Sequence, residues 1–239
     1  MTRIRFIGTG ALLPGKDRMA SSLLVEGDSG GLLIDAGEGC CFRLAEPGLW
    51  KQEIKSILLT HCHPDHVTGL PMLIAIWKRD RRIEPLEIFA PRGLGKGIKS
   101  WLSSVRLSTE SLPFPVQIKE LVPGKFKTQS GHSCFASANG HLPSDKRGRG
   151  GSYSLILELN EGKCVFSSDI AGIDDILPLL PDSKLLVSEA FHIEKETVIE
   201  AAKTFAIEKV VFTHIPENLR METQDSCIWA YDNMILELE

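Results

Sequence analysis

With 239 residues and 43 % apolar content, the chain can bury a sizeable core, and lengths to about 250 residues still suit one domain. A formal net charge of −4 excludes the global basic field of a general nucleic-acid binder, so any polyanion must be met by local patches. Six cysteines, at 40, 41, 62, 134, 164 and 227, form no CxxC pair and no short secreted framework, which predicts free thiols in a reducing compartment. The opening Met1 to Phe6 turns at once into Gly8, too short an apolar run for a signal peptide, and no later stretch reaches the roughly 18 apolar residues of a membrane helix. The expectation is one soluble cytoplasmic domain over residues 1–239 with no membrane partner.

In chain order, β-branched and leucine-rich runs predict strands at Ile4–Ile7, Ser22–Val25, Leu32–Ile34, Ser56–Leu59, Leu86–Phe89, Tyr153–Leu159, Cys164–Phe166, Leu185–Val187, Lys209–Phe212 and Met234–Leu238. Helical spacing falls between them at Cys41–Ala45, Leu70–Lys78, Leu94–Val105, Ile173–Leu180 and Glu194–Phe205. The class is therefore α/β or α+β with many strands. The charge-rich runs Lys78 to Arg82 and Lys146 to Arg149 read first as solvated loops.

Two segments echo one another. Ser22-Leu-Leu-Val-Glu, a turn, Leu32-Leu-Ile and Asp35-Ala-Gly match Ser154-Leu-Ile-Leu-Glu, a turn, Cys164-Val-Phe and Asp169-Ile-Ala-Gly. Further on, the run from Ile54 to Thr60-His61 is echoed by the run from Ile207 to Thr213-His214, each a strand delivering Thr-His. One supersecondary plan used twice predicts two sheets packed face to face with helices outside. Chemistry would gather where the strand ends of both halves meet.

His61-Cys62-His63-Pro64-Asp65-His66 places four metal-ligand side chains in six residues just after a strand. This is not the i, i+4 pair of a helical zinc site. Positions 61 and 63 share one side of an extended tip while Asp65 and His66 turn toward another, so one loop can feed two adjacent metals.

This HxHxDH pattern resembles that of the metallo-β-lactamase superfamily, which implies a four-layer αββα sandwich. The resemblance assigns His141, in Asn-Gly-His-Leu-Pro, as the third ligand of a first metal. Asp169 becomes a bridging carboxylate and His214 a late ligand of the second metal. The implied set is thus His61, His63, Asp65, His66, His141, Asp169 and His214, holding two zinc ions, with manganese or iron able to substitute. Within the superfamily the chain is most similar to the tRNase Z and phosphodiesterase-like branch, through Phe6-Ile-Gly-Thr-Gly-Ala with Pro14, Leu33-Ile-Asp-Ala-Gly-Glu-Gly and Glu84-Pro-Leu-Glu-Ile-Phe-Ala-Pro-Arg-Gly-Leu. It departs from that branch at Cys40-Cys41, where Thr-Gln is usual, and at Ser188-Glu189-Ala190, where His-Glu-Ala-Thr is usual. No Gly/Pro-rich basic arm that would clamp tRNA is evident, so a small cyclic or nucleotide phosphodiester is expected ahead of a precursor tRNA. Relatives of this kind imply a homodimer.

Two cations ~3.5 to 4 Å apart would ionise a shared water near neutral pH and neutralise charge on a phosphoryl group, which makes hydrolysis of a phosphodiester in a small molecule or RNA the natural chemistry. The catalytic residues expected by resemblance are Asp65, orienting the attacking water, and Glu189 with His214, relaying a proton toward the leaving oxygen. A lactone, thioester or other acyl substrate, an iron-dependent oxidoreductase on the same ligands, and a non-catalytic metal module are the rivals. Asp35 and Glu38 are expected to fix the turn around them by hydrogen bonds. His132 could compete with His141 for the metal but reads as a surface residue. His192 reads as a surface or helix-start histidine, although either it or Glu189 could reach the site. Lys146, Arg147 and Arg149 could meet a substrate phosphate.

Overall fold

The computed structural model describes residues 1–13, 15–45, 54–146, 150–217, 219 and 227–238. Its strands are β1 (Arg3–Gly8), β2 (Ser22–Gly27), β3 (Gly30–Ile34), β4 (Ile54–Leu58), β5 (Leu86–Pro91), β6 (Val116–Leu121), β7 (Gly124–Lys127), β8 (Ser133–Ser144), β9 (Gly150–Leu159), β10 (Gly162–Phe166), β11 (Ser183–Glu189), β12 (Lys209–Thr213), β13 (Cys227–Trp229) and β14 (Met234–Glu237). Its helices are α1 (Cys40–Ala45), α2 (Pro64–Val67), α3 (Leu70–Arg79), α4 (Leu94–Ser104) and α5 (Lys195–Thr204). Two seven-stranded sheets result, ordered β14-β1-β2-β3-β4-β5-β6 and β13-β12-β11-β10-β9-β8-β7.

Alternation along the central strands builds the layers. Leu32 and Ile34 of β3 point between the sheets, while Leu33 points outward beneath Leu70, Leu73 and Trp77 of α3. In the second sheet Cys164 and Phe166 of β10 face inward, and Val165 faces Val198 and Ala202 of α5. Both faces of each sheet are thus covered, which is why these strands read as continuous apolar runs. The four-layer α/β sandwich expected from the sequence is the observed architecture.

The sheets repeat one pairing scheme. From β1 to β6 the successive pairings are antiparallel, antiparallel, parallel, parallel and parallel, and β8 to β13 run through the same series. The first sequence echo matches this scheme, because the hairpin β2-β3 corresponds to β9-β10. The second does not. The run ending in His61 lies on β4, whose topological counterpart is β11, whereas the run ending in His214 lies on β12.

Other expectations are corrected. Residues Ile173–Leu180 form two 3-10 turns, Ile173–Asp175 and Leu177–Leu179, because Pro178 cannot sit in a helix interior. Strands β6, β7, β8 and β13 were not anticipated. β8 reads Ser-Cys-Phe-Ala-Ser-Ala-Asn-Gly-His-Leu-Pro-Ser, poor in β-branched residues, and its register with β9 shifts between Asn139 and Ser144. His141 therefore lies within a strand, at its irregularity. His132 is buried, at 7 % exposure, with Nδ1 3.0 Å from the Ser130 hydroxyl, and burial lowers its pKa. No helix among the described residues is long and apolar enough to cross a membrane.

Asp232, between β13 and β14, ties together three segments of the first half. Its buried carboxylate accepts from the Thr9 N–H (3.0 Å) and hydroxyl (2.8 Å), the Met19 N–H (2.7 Å) and the Arg43 Nε (3.1 Å), joining the loop after β1, the segment before β2 and α1. Asp232→Ala would remove the acceptor that these donors share. It is expected to cost about 3–5 kcal/mol, read as a lower urea midpoint at unchanged slope. A change within about 0.5 kcal/mol would show that the clamp carries no stability.

Candidate metal centre

Every side chain expected at the site lies at the C-terminal ends of parallel strands or on β8. The turn after β3 supplies Asp35, and the loop after β4 supplies His61, His63, Asp65 and His66. Asp169 follows β10, Glu189 ends β11 and His214 follows β12. Pro64 starts α2 with its φ already helical and ends the extended tip at His63 (φ −61°, ψ 146°). This turn aims Asp65 and His66 away from the direction of His61 and His63. Gly37 lets the turn after β3 pass beneath this loop, since a Cβ there would sit 2.2 Å from the Asp65 carbonyl oxygen.

The donor atoms gather in two adjoining groups. His61, His63, His141 and Asp169 form one; Asp65, His66 and His214 form the other; within each, the donor atoms all lie within 4.8 Å of one another. Asp169 stands between them. Its Oδ2 is 3.6 Å from His61 Nε2, 3.7 Å from His141 Nε2 and 3.4 Å from His214 Nε2, and its Oδ1 is 3.4 Å from His66 Nε2. His63 Nδ1 and His141 Nε2 approach to 3.1 Å. The structure thus brings all seven expected ligand residues together.

The protonation pattern fits cations. Asp35, wholly buried, accepts from the Thr60 N–H (2.8 Å) and from the Thr60 hydroxyl at Oδ2 (2.9 Å). With its proton committed there, Thr60 Oγ1 can only accept from His61 Nδ1 at 3.0 Å. His66 Nδ1, 2.7 Å from Asp35 Oδ2, must likewise carry a hydrogen. His61 then presents an unprotonated Nε2 inward. At His66 burial would lower the pKa, but the Asp169 and Asp35 carboxylates raise it well above the ordinary imidazole value, so its inward Nε2 is held for a positive charge, a proton or a cation. Both Nε2 atoms, with Asp169 Oδ1, are buried without a hydrogen-bond partner, which is costly unless a cation meets them. Burial lowers the pKa of His61, His141 and His214, which keeps these rings neutral and ready to ligate. At Asp169 burial alone would raise the carboxyl, but the His66 ring beside it, in its charged form, holds it well below the usual range.

Several roles differ from expectation or were not foreseen. Glu38 is exposed, and its contribution is a backbone carbonyl that accepts from Ala20 N–H. Glu189 is buried and engaged: Oε2 accepts from the N–H groups of Phe191 (2.8 Å) and His192 (2.7 Å), and Oε1 lies 3.2 Å from His192 Nδ1. Its ring partner is therefore His192, while His214 Nδ1 has none. His192, expected at the surface, reaches the cluster, 3.9 Å from Asp169 Oδ2 and stacked on His214 at 5.9 Å between centroids. The hydrogen bond to Glu189 raises its pKa against the effect of burial. Asn139, which no motif marked, holds two ligand segments at once: Nδ2 donates to the Asp169 carbonyl (3.0 Å) and Oδ1 accepts from the His141 N–H (3.3 Å). Lys146 is exposed in the turn after β8, and Arg147 and Arg149 lie outside the described residues.

Two seven-stranded sheets with a His/Asp cluster of the dinuclear kind at their strand ends define a metal-dependent hydrolase of the metallo-β-lactamase fold. The chain belongs to this superfamily: the family described as the β-lactamase superfamily domain matches residues 31–215. Among curated proteins, a ribonuclease Z of Pyrococcus abyssi (strain GE5 / Orsay) is 35 % identical over 129 residues, 54 % of this chain and 41 % of that protein. The match therefore spans less than half the length of that relative. Among solved structures, human tRNase Z, short form, superposes with a TM-score of 0.78 at 22 % identity, covering 99 % of both chains. A diphosphatase of the PhnP family gives 0.78 at 17 % identity, covering 100 % of this chain and 98 % of the other. These structural likenesses speak for the fold.

Asp35 fixes the tautomers of two rings without reaching the inward-facing donor atoms itself. Asp35→Asn is expected to weaken zinc binding about 10- to 100-fold, measured by competition with a chromophoric chelator on protein whose circular dichroism is unchanged. Unaltered affinity would show that the carboxylate does not set the imidazole donors.

Proposed function

We propose that the protein hydrolyses phosphodiester bonds with two divalent metal ions, zinc foremost, on a small cyclic or nucleotide substrate. The observation that carries this reading is the Glu189–His192 pair set against a complete His/Asp cluster, because an alkoxide leaving from phosphorus needs a proton that the cluster's own ligands cannot donate. The sequence similarity to ribonuclease Z supports the same bond class.

In this reading His61, His63, His141 and Asp169 hold one ion, and Asp65, His66, His214 and Asp169 hold the other. Bound there, the two ions supply Lewis acidity at a phosphoryl oxygen and a water ionised near neutral pH. The chain's own groups do the remainder. Asp35 and Thr60 hold the Nδ1 hydrogens of His66 and His61, so that the inward nitrogens face the ions. Asp65 accepts a hydrogen bond from the attacking water and so aims its lone pair at phosphorus. A new P–O bond forms to the water oxygen, which has released one proton to solvent, and the ester P–O bond on the far side breaks with its electron pair left on the departing oxygen. His192, charged through its contact with Glu189, gives its proton to the departing oxygen, and Glu189 stabilises the charged ring before transfer.

Asp65→Ala is expected to abolish turnover of bis-p-nitrophenyl phosphate in buffers replete with zinc, manganese or iron; near-normal turnover would sink the mechanism. His192→Ala separates the proton donor from the rest. Turnover of a diester with an alkyl leaving group should fall about 10²–10⁴-fold, and that of bis-p-nitrophenyl phosphate far less, since p-nitrophenolate leaves without a proton. Equal losses on both would place His192 outside proton transfer. Cleavage of lactones or thioesters alone, with every phosphodiester inert, would move the chain to acyl chemistry.

A further inference from the structure

A cavity of about 350 Å³ adjoins the cluster, and the hydrolytic roles above leave it unused. Phe191, His192 and Ile193 line one side, Pro216 and Leu219 enter from the chain beyond His214, and Lys195 stands at the start of α5. It shares His192 with the metal cluster, so whatever fills it lies against the reacting centre.

Phe191 gives the cavity its character. The side chain is 51 % exposed, an unfavourable placement for a phenyl ring unless something covers it. It is nonetheless held in place: its N–H is tied to Glu189, its ring stands edge-on to His192 at 4.8 Å, and it lies 6.0 Å from the His214 ring. An aromatic face is thus presented one ring's width from a metal-site histidine. Ile193, Pro216 and Leu219 add apolar surface beside Phe191, while Glu194, Lys195 and Glu196 make the rest of the lining charged, with Lys195 3.7 Å from Glu196. The volume sits at the small end of the ~300–1,000 Å³ range of ligand pockets, enough for one or two fused rings and too small for a long acyl chain.

We infer that this cavity is a subsite for a flat, weakly polar ring carried by the substrate, with Phe191 as the stacking residue that selects for it. Offset stacking at ~4.5–7 Å between centroids sets such a ring beside Phe191 and leaves a phosphoryl group a few bonds away within reach of the cluster. The inference rests on the phosphodiesterase reading for the phosphoryl group. The ring could be a nucleobase or a simple aryl group, both of which offer the same π-face.

Binding distinguishes these outcomes without turnover. Zinc-loaded protein is titrated calorimetrically with adenosine 5′-monophosphate, phenyl phosphate and ribose 5-phosphate, using the wild type, Phe191→Ala and Phe191→Tyr. At least one of the two ring-bearing phosphates should bind roughly 5- to 150-fold tighter than ribose 5-phosphate, an advantage lost in Phe191→Ala and kept in Phe191→Tyr. Preference for the adenosine compound alone identifies a nucleobase; preference for phenyl phosphate, alone or equally, identifies an aryl ring. Ribose 5-phosphate binding as tightly as both, or an advantage that survives Phe191→Ala, would overturn the subsite. Ring preference in a protein that cleaves no phosphodiester would instead overturn the functional reading and leave the subsite standing.

Discussion

The site depends on one buried carboxylate. Asp35 has no solvent of its own, so its charge must be met by the donors around it, and those donors are the Thr60 backbone and hydroxyl and the His66 ring. Through Thr60 the constraint passes to His61, and the Ser168 hydroxyl, donating to Thr60 Oγ1 at 2.8 Å, ties the strand end beside Asp169 into the same network. The imidazoles are thus oriented by groups that do not themselves ligate. An unsatisfied buried carboxylate costs several kcal/mol, so the orientation is enforced as strongly as the fold is.

The scaffold that makes such a network available is the repeated sheet. Parallel strands deliver their C-terminal ends to one edge, and packing two copies of the scheme face to face brings both sets of ends to the same place. Asp35 follows β3 and Ser168 follows β10, its counterpart in the repeat, and both adopt left-handed backbone, with φ of 59° and 52°. His214, at φ 51°, does the same after β12. Non-glycine residues in this region cost about 1–3 kcal/mol each and persist where surrounding contacts over-determine them. Here the reversal of the chain at each strand end turns a side chain from the sheet into the site. The strain and the ligand geometry have one origin.

The cluster was legible in the sequence because its chemistry is local. Four of the seven residues stand in His61-Cys-His-Pro-Asp-His66, and strands with both faces buried read plainly as apolar runs. Legibility failed where the determinants are non-local. β8 holds its place by pairing with β9 on one side and, over Ser133–Ala136, with β7 on the other, so serine, alanine and asparagine suffice and no propensity marks it. Asn139 looked like any loop asparagine until the irregularity in β8 and the segment after β10 were brought within its reach. His192 was obscured for a related reason: it is exposed, as the sequence suggests, its partner Glu189 is three residues away, a spacing shared by countless surface pairs, and only the end of β11 decides that Glu189 is buried and holds His192 beside the cluster. The second sequence echo misled because two strands ending in Thr-His need not hold the same place in a repeat; amphipathic strands resemble one another wherever they lie.

The site also divides by solvent. Five of the seven donor residues are buried, with His63 and His141 half-buried, and hydrogen bonds close around them, so the set can vary little without losing its geometry. Selectivity must then come from the margin, where side chains are exposed and free to differ. Phe191 and His192 lie on that margin, next to each other in sequence but unlike in use: one offers a ring face, the other a proton. Glu189 holds the backbone of both through one carboxylate oxygen. A substrate aligned by Phe191 is therefore aligned with respect to His192 as well, because the two share an anchor. In the proposed reaction recognition and proton delivery would be coupled by the geometry of a single buried acid, whose desolvated charge is offset by the N–H groups of Phe191 and His192.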